Sequence, residues 1–561
     1  MLKRWKRKNI DISHLQKEPS LSGISALTLE ILVNRGFDTT EKINQFLYGN
    51  IYELLDTRDM KDAEKATTLI MNAIEKNIFI VVYGDYDSDG VHSTAVMVEL
   101  LRKAGAEVGY YTNDRFKQGY GMMESGVDEI LSMYPKTGMI ITVDNGIMAH
   151  DGIDYALSKE LQVIVTDHHE PGATLPNAHA IVDPKRKDDT YAFKELCGAG
   201  VAFKLMMLLY YEMGLDMEIV YDTLDMVAVA TVGDIVSLQG ENRILVQEGL
   251  KRIKEEKRPV YRMFREITEV KEIASWTLGF VYVPMVNAIG RLDGNPRRAI
   301  EMYVDSTEEE AIETIKYLKE VNSLRKSMTV TQCERAEEIV QSKGLQKVIV
   351  VYDESFHEGI VGLIAGRLKE KYNRPVFAFT NHGDSLKGSA RSIDGYHLKQ
   401  VFEEVESLIL GGGGHAKAGG LSVEKERLEV FEKAILEIAD RKLTEDDFVK
   451  TYHIDAHLDA QTITMDVLDE LSALEPFGEG FNKPVLLLNN FEGKLRYMGD
   501  NQQHVKLTGD TLSIVMWNQG DEYRAKGAPT RIRGVGYPEL NTYAGNVSLQ
   551  FKIENMNLKP I

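Results

Sequence analysis

The sequence predicts an α/β protein of several domains that ends in a small β-barrel. Three observations carry this. From about residue 76 to 185, short apolar runs alternate with helical patterns, as in a parallel sheet covered by helices on both faces. A second α/β stretch follows a long, charged segment without glycine or proline. From about Lys450 the chain becomes strand-rich. At 561 residues it is too long for one hydrophobic core.

The elements follow in order. The N-terminus, "MLKRWKRKNIDISHLQ", is basic, but no apolar h-region follows, so it does not read as a signal peptide. "IFIVVYGD", "EVGYYT", "GMIITVDNG", "QVIVTDHH" and "AHAIVDP" read as strands, with "STAVMVELLRKAG", "ESGVDEILSMY" and "DYALSKE" as helices between them. A more helical region runs from Glu195 to Tyr303. Ser306 to Lys343 reads as one long helix or a broken pair, a connector between lobes. "KVIVVYD", "GIVGLIAGRLKEKY", "PVFAFT", "SLKGSARS" and "HLKQVFEEVESLIL" make the second α/β unit. The tail holds about five strands ("PVLLLNNFEGKLRYMG", "HVKLTG", "LSIVMWN", "RIRGVGY", "NVSLQFKIENMNL") and a short helix, "MDVLDELSAL". That is the pattern of an OB-type barrel. There is no internal repeat and no low-complexity segment.

Composition narrows the function. A net charge of −20 argues against a nucleic-acid coat protein but leaves room for a local basic channel. Cys197 and Cys333 are the only cysteines, so a disulfide framework or a cysteine-built zinc site is excluded and a reducing cytoplasm is expected. No apolar run approaches membrane-spanning length, so no membrane association is expected.

In an open α/β sheet, ligands bind beyond the carboxyl ends of the strands. Here those ends carry Asp85, Asp87 and Asp89 ("GDYDSDG"), Asp144 ("VDNG"), and Asp167, His168 and His169 ("TDHH"). Asp234 follows another apolar segment, "MVAVATVGD". One such aspartate is ordinarily a helix cap. Four sites including an Asp-His-His triplet are too many for that. Crowded carboxylates repel one another. Carboxylates with imidazole suit a divalent transition metal such as manganese, and several bridging carboxylates suggest two ions.

These motifs resemble those of the DHH phosphoesterase superfamily, as do "TVGDIVSLQGENRILVQEGL" and "NAIGRLDG". "EGIVGLIAGRLKEKYNRPV", "GSARSIDGYHL" and "GGGGHAKAGGLSV" resemble the DHH-associated domain, and "LEPFGEGFNKPVLLL" with "HVKL" resembles the OB region of RecJ-type exonucleases. The resemblance runs from about residue 20 to the end. It implies an N-terminal segment (1–50), a parallel-sheet DHH catalytic domain (51–305), a connecting helix (306–343), a DHH-associated α/β domain (344–445) and an OB-fold nucleic-acid-binding domain (446–561). The implied activity is metal-dependent 5′→3′ hydrolysis of single-stranded DNA in repair or recombination, in the cytoplasm, with two Mn²⁺ or Mg²⁺ ions. A single-strand-binding protein or a helicase is an implied partner. Asp85, Asp87, Asp89, Asp144, His168 and Asp234 are implied metal ligands, with Asp85 a ligand or just behind one and Asp144 the bridge. His169 is assigned to the scissile phosphate, and Asp167 to orienting the two histidines.

For substrate, Arg291 suits bidentate phosphate contact, though its spacing alone fits a capping arginine equally well. Ser389, Arg391 and Ser392 could line the same cleft. Gly413 and Gly414, within a glycine run, permit close backbone approach, and His415 adds a side chain; a glycine run alone is as often a turn. Lys417 could add charge. In "NDRFKQGYG", Arg115, Lys117 and Tyr120 fit stacking and backbone contact, or an ordinary exposed loop. Lys494, Arg496, Lys506, Trp517, Arg531 and Arg533 could form a single-strand groove on the barrel. Three departures from the family pattern stand out: Ser88, His92 and Gly419. His92 lies one helical turn from the metal residues and could alter metal or substrate contacts. Other readings are a short-oligonucleotide or cyclic-dinucleotide phosphodiesterase, an inactive replication scaffold and an inorganic pyrophosphatase. The barrel argues against the first and last, and the intact carboxylates against the second.

Overall fold

The computed structural model describes residues 3–8, 10–542 and 547–557. Asn546 and Leu558, the ends of the last expected strand, lie outside them. The chain forms two compact units. One comprises residues 55–234 and 249–450; the other joins residues 3–54, 235–248 and 451–561.

Strand β1 (Lys3–Arg7) belongs to the second unit and is described with it. The first unit opens with β2 (Phe79–Gly84), β3 (Val108–Thr112), β4 (Thr137–Val143), β5 (Gln162–Thr166) and β6 (Ala180–Val182). They form an all-parallel sheet in the order β3-β2-β4-β5-β6. Its strands are near-continuous apolar runs because helices bury both faces. The order reverses beside β2, so the carboxyl ends of β2, β4 and β5 open onto one crevice. The apolar segment before Asp234 is a helix, Leu224–Gly233, within the region expected to be helical. It is apolar on all sides because it is buried on all sides. Half-buried Arg258 pairs with Asp225 at its start (2.8 Å) and with Glu99 (2.9 Å).

The connector is one 36-residue helix, Glu308–Lys343, opened by a capping box in which Thr307 and Glu310 exchange hydrogen bonds. Beyond it, β7 (Ile349–Tyr352), β8 (Val376–His382), β9 (Ser385–Arg391), β10 (Gly411–Gly414) and β11 (Ala418–Glu424) form a sheet in the order β10-β11-β9-β8-β7. Only β7 and β8 run parallel. The glycine run is thus a strand paired with β11, not a turn. A Cβ at Gly414 would meet the Ala418 carbonyl at 2.4 Å. A Cβ at Gly419 would press on Phe402 at 2.7 Å, which accounts for glycine at that departure.

In the second unit, β1 and β12 (Lys450–Ile454) pair as a ribbon. β13 (Ala456–Asp459), β14 (Leu486–Glu492), β15 (Lys494–Met498), β16 (His504–Thr508), β17 (Ser513–Met516), β18 (Arg531–Asn541) and β19 (Ser548–Asn557) form one sheet, order β13-β14-β18-β19-β17-β16-β15. That is seven strands where about five were expected: β13 was unread, and "PVLLLNNFEGKLRYMG" folds back as two strands. Helices Ala26–Asn34 and Thr40–Tyr48 bury Leu29, Ile31, Leu32, Ile43 and Phe46 in the same core as Leu486, Leu488 and Phe551 of the barrel.

Candidate metal centre

Asp87 caps the helix Ser88–Lys103, its carboxylate accepting from the amides of Asp89 (2.9 Å) and Gly90 (3.2 Å). Asp89 accepts from the amides of Gly198 (2.6 Å) and Ala199 (2.8 Å), the first turn of the helix Gly198–Met213. The capping role of these aspartates is therefore real, and it aims them at one point. Asp144 ends β4 in the left-handed region, φ 60°, which aspartate tolerates better than most residues. Asn145 next to it ties the strand ends together, donating to the carbonyls of Tyr83 (3.0 Å) and Val143 (2.9 Å). Gly198 permits the closest approach: a Cβ there would lie 2.5 Å from the Asp144 Cβ.

His168 Nε2 lies 3.0 Å from Asp144 Oδ1 and 3.7 Å from both Asp89 Oδ2 and Asp234 Oδ2. Potential ligand atoms gather in overlapping groups within 4.8 Å: Asp85, Asp87 and Asp144; Asp89, His168 and Asp234; and Asp144 with Asp167, His168 and His169. Asp144 belongs to two of them. Burial and then neighbouring carboxylates push the pKa values of Asp85, Asp144 and Asp234 well up. Burial holds His168 down at about 4, so the ring is neutral and able to ligate. Asp85 Oδ1 is buried without a hydrogen-bond partner. Asp234 sits at a helix C-terminus, where the helix dipole disfavours a carboxylate. Each observation is what a site built for divalent cations shows: hard oxygen donors, one imidazole and crowded negative charge.

Asp167 orients one histidine ring, not two. It accepts from His169 Nδ1 (2.7 Å) and from the amides of His168 (2.7 Å), His169 (3.2 Å) and Ile147 (2.9 Å), but does not bond the His168 ring. Burial, the largest single influence, lowers the pKa of His169; the Asp167 hydrogen bond and the charges of Asp167, Asp234 and Asp87 together outweigh it and raise it to about 9. Tyr120 turns into the site rather than outward. Its hydroxyl donates to the Asp144 carbonyl (3.1 Å) and lies 3.0 Å from His169 Nδ1. His92 faces away. It is fully buried, with Nδ1 2.5 Å from the Ser88 carbonyl and Nε2 2.9 Å from the Tyr303 hydroxyl, so it touches neither metal position nor substrate.

The second α/β lobe reaches this crevice. Gly359 packs so closely on the Arg291 backbone that a Cβ would collide with its carbonyl. Arg291 is half-buried, and its desolvation, then the charge of Arg115, lowers its pKa to about 10; Arg325 and Arg391 act in the same direction and Asp87 opposes them. Arg115 also stacks over Tyr86, 5.0 Å from the ring centre. Arg391 donates to Ser389 Oγ (3.0 Å). Such converging guanidinium groups call for an anion. His415 is exposed; partial desolvation and then Lys185 depress its pKa, with Glu170 and His169 also within electrostatic range. Lys417 pairs with Asp394 instead (2.8 Å), Lys117 lies 3.5 Å from Asp114, and Ser392 donates to the Tyr396 carbonyl.

Sequence reading missed Asp183, Lys185, Gly198 and Arg325. Asp183 ends β6 as the others end their strands, so its signal was present. It is buried, and burial, then Asp167, raise its pKa to about 8. Nothing in the sequence singles out Gly198 or Arg325.

Residues 79–231 match the family model for the DHH family, N-terminal domain; residues 345–441 match the DHHA1 domain and residues 454–555 the RecJ OB domain. The chain is 35% identical to the single-stranded-DNA-specific exonuclease RecJ of Bacillus subtilis, over 98% of this chain and 70% of that protein. It is 32% identical to the Escherichia coli RecJ, over 94% and 95%. The crystal structure of Thermus thermophilus RecJ in complex with Mn²⁺ superposes with a TM-score of 0.85 at 27% identity, covering 100% of this chain and 80% of that one. With three domain models in this order and relatives that span nearly its whole length, this chain belongs to the RecJ family.

Proposed function

We propose that this chain is a metal-dependent exonuclease that degrades single-stranded DNA from the 5′ end. The observation that carries the reading is the largely buried cluster of Asp85, Asp87, Asp89, Asp144, His168 and Asp234, beside which Arg115, Arg291 and Arg391 converge. Asp87, Asp89, Asp144, His168 and Asp234 would hold two divalent ions, with Asp85 in or just behind that set and Asp144 between the ions. When bound, Mn²⁺ or Mg²⁺ supplies charge neutralisation at the phosphate and a water acidic enough to attack it.

The chain's own residues do the rest. His169 is protonated at neutral pH, and Asp167 and Tyr120 occupy its Nδ1 side, which leaves Nε2 to contact the scissile phosphate. Arg291, Arg115, Ser389 and Arg391 bind phosphate oxygens. His415 and the backbone of Gly413 and Gly414 meet the strand from the other side. Both lobes contribute, which favours a single strand over a duplex. Repair or recombination in the cytoplasm, with a single-strand-binding protein or helicase as partner, belongs to this reading; among the described residues no helix is long and apolar enough to cross a membrane.

The test is digestion of 5′-labelled and 3′-labelled single strands and of a blunt duplex, with manganese or magnesium. Early release of the 5′ label, single strands only, is expected. Early release of the 3′ label would overturn the polarity, and equal rates on the duplex would overturn the strand preference.

A further inference from the structure

One phosphate does not use up the arginines of this crevice. A terminal phosphate monoester carries about two negative charges at pH 7, and Arg115, Arg291 and Arg391 already bring three positive ones to it. The guanidinium groups continue beyond them. Arg325 acts on Arg291, and Arg367 acts on Arg325. Packing accounts for the succession. Arg291 stands on the helix Val283–Leu292, which packs against the long helix that carries Arg325. The long helix packs in turn on Val361–Tyr372, the helix of Arg367. That helix lies on β9, the strand of Ser389 and Arg391.

The string has no carboxylate of its own. Acids outnumber bases in this chain by 86 to 66, yet among the described residues none of these five arginines forms a salt bridge. Asp87 acts on Arg291 from the metal cluster. Glu337, which shares the surroundings of Cys333 with Arg367, is taken by Lys371 (2.6 Å). An arginine that only decorates the surface turns to water. Arg325 is instead half-buried, its Nε donating to Asn322 (3.1 Å), and desolvation, then Arg367, lower its pKa. Holding a cation out of water beside a second cation is unfavourable until an anion arrives.

Open space leads the same way. Gly362 faces the first pocket: a Cβ there would lie 3.2 Å from Ser389 Oγ and 3.4 Å from Arg391 Nη2. Gly366 is one turn further on the same helix face, and a Cβ there would meet nothing within 4 Å. The two glycines are about 6 Å apart along the axis. A helix face without side chains therefore runs from the first phosphate position to the residue before Arg367.

We propose that Arg325 and Arg367 form a second anion subsite, which takes the outer phosphates of a 5′-triphosphorylated strand whose innermost phosphate occupies the pocket of Arg115, Arg291 and Arg391. The inference rests on the exonuclease reading for the placing of a strand end, and it adds a class of end that the enzyme holds.

The test compares two short oligothymidylates with a 3′ fluorophore, one ending in a 5′-monophosphate and one in a 5′-triphosphate. Binding to the full chain is followed by anisotropy in EDTA, where no cleavage occurs. The triphosphate strand should bind wild type at least about tenfold more tightly. In Arg367→Gln, and separately in Arg325→Gln, that ratio should fall toward unity. A ratio is insensitive to partial unfolding, which weakens both strands alike. Equal affinities in wild type would overturn the proposal, and so would a ratio that survives both substitutions. Inorganic tripolyphosphate tests for a free ligand of the same chemistry. If it binds in an Arg367-dependent way while the two strands bind equally, the strand-end assignment falls. Wild-type protein that holds the triphosphorylated strand tightly but never shortens it with manganese would sink the exonuclease reading and leave the subsite standing.

Discussion

Asp144 joins two demands in one residue: a carboxylate shared by two ligand groups and a left-handed backbone. Asparagine meets the second demand and not the first. Asp144→Asn should therefore keep the melting temperature within a few degrees and lower hydrolysis by several orders of magnitude. Near-wild-type rates would remove Asp144 from the metal centre. Gly198 makes the complementary case. Gly198→Ala puts a methyl 2.5 Å from the Asp144 Cβ and at the amide that holds Asp89. A displacement near 1 Å can cost about 10²-fold in rate. Single-turnover hydrolysis should fall by that order while circular dichroism stays unchanged; full activity would show that the contact is slack.

At the scale of elements, two buried side chains hold structures together without touching the reacting groups. The helix that starts at the metal ligands is tied back by His92, whose pKa burial holds at about 4. The unfolded chain protonates this group near pH 6.5, so its neutral burial contributes fully above that value and is lost as pH falls from about 6.5 to 4. The shift is worth about 3 kcal/mol. Urea unfolding at pH 7 and pH 5 should show a larger loss in wild type than in His92→Ser; equal losses would contradict the assignment. In the second unit, Arg243 is buried over the Phe46 ring (3.6 Å) and donates to the carbonyls of Phe46 (2.8 Å), Leu474 (3.0 Å) and Glu475 (2.9 Å). Arg243→Met leaves these carbonyls without a donor and should cost at least about 3 kcal/mol. Hydrogen exchange should accelerate in Ala26–Asn34 and Met465–Ser472 and not in the parallel sheet around β2.

For the whole molecule, the barrel does not stand alone in sequence. The helices of residues 26–48 share its core, and the segment 235–248 belongs to the same compact unit. A cut at Lys450 would expose Leu29, Ile31, Leu32, Ile43 and Phe46. Such a truncation should bind the dye ANS and aggregate, whereas point changes on the barrel surface should leave a monodisperse protein. A soluble, ANS-silent truncation would show that the N-terminal helices hold their fold unaided.

The parallel sheet, the long helix and the aspartates at the strand ends were legible in the sequence because they are local. Apolar runs of fixed period, followed at once by carboxylates, need no knowledge of what lies across the crevice. Even the capping role of Asp87 is written within three residues. Tertiary structure alone decided the rest. It set Gly198 against Asp144 across more than fifty residues and turned Tyr120 toward the metal cluster and His92 away from it. It gathered Arg115, Arg291, Arg325 and Arg391 from a loop, two helices and a distant strand, and it put the helices of residues 26–48 into the barrel's core. These depend on which surfaces meet when separate segments bury their apolar faces together. One-dimensional periodicity records that a face is apolar; it does not record which other face covers it.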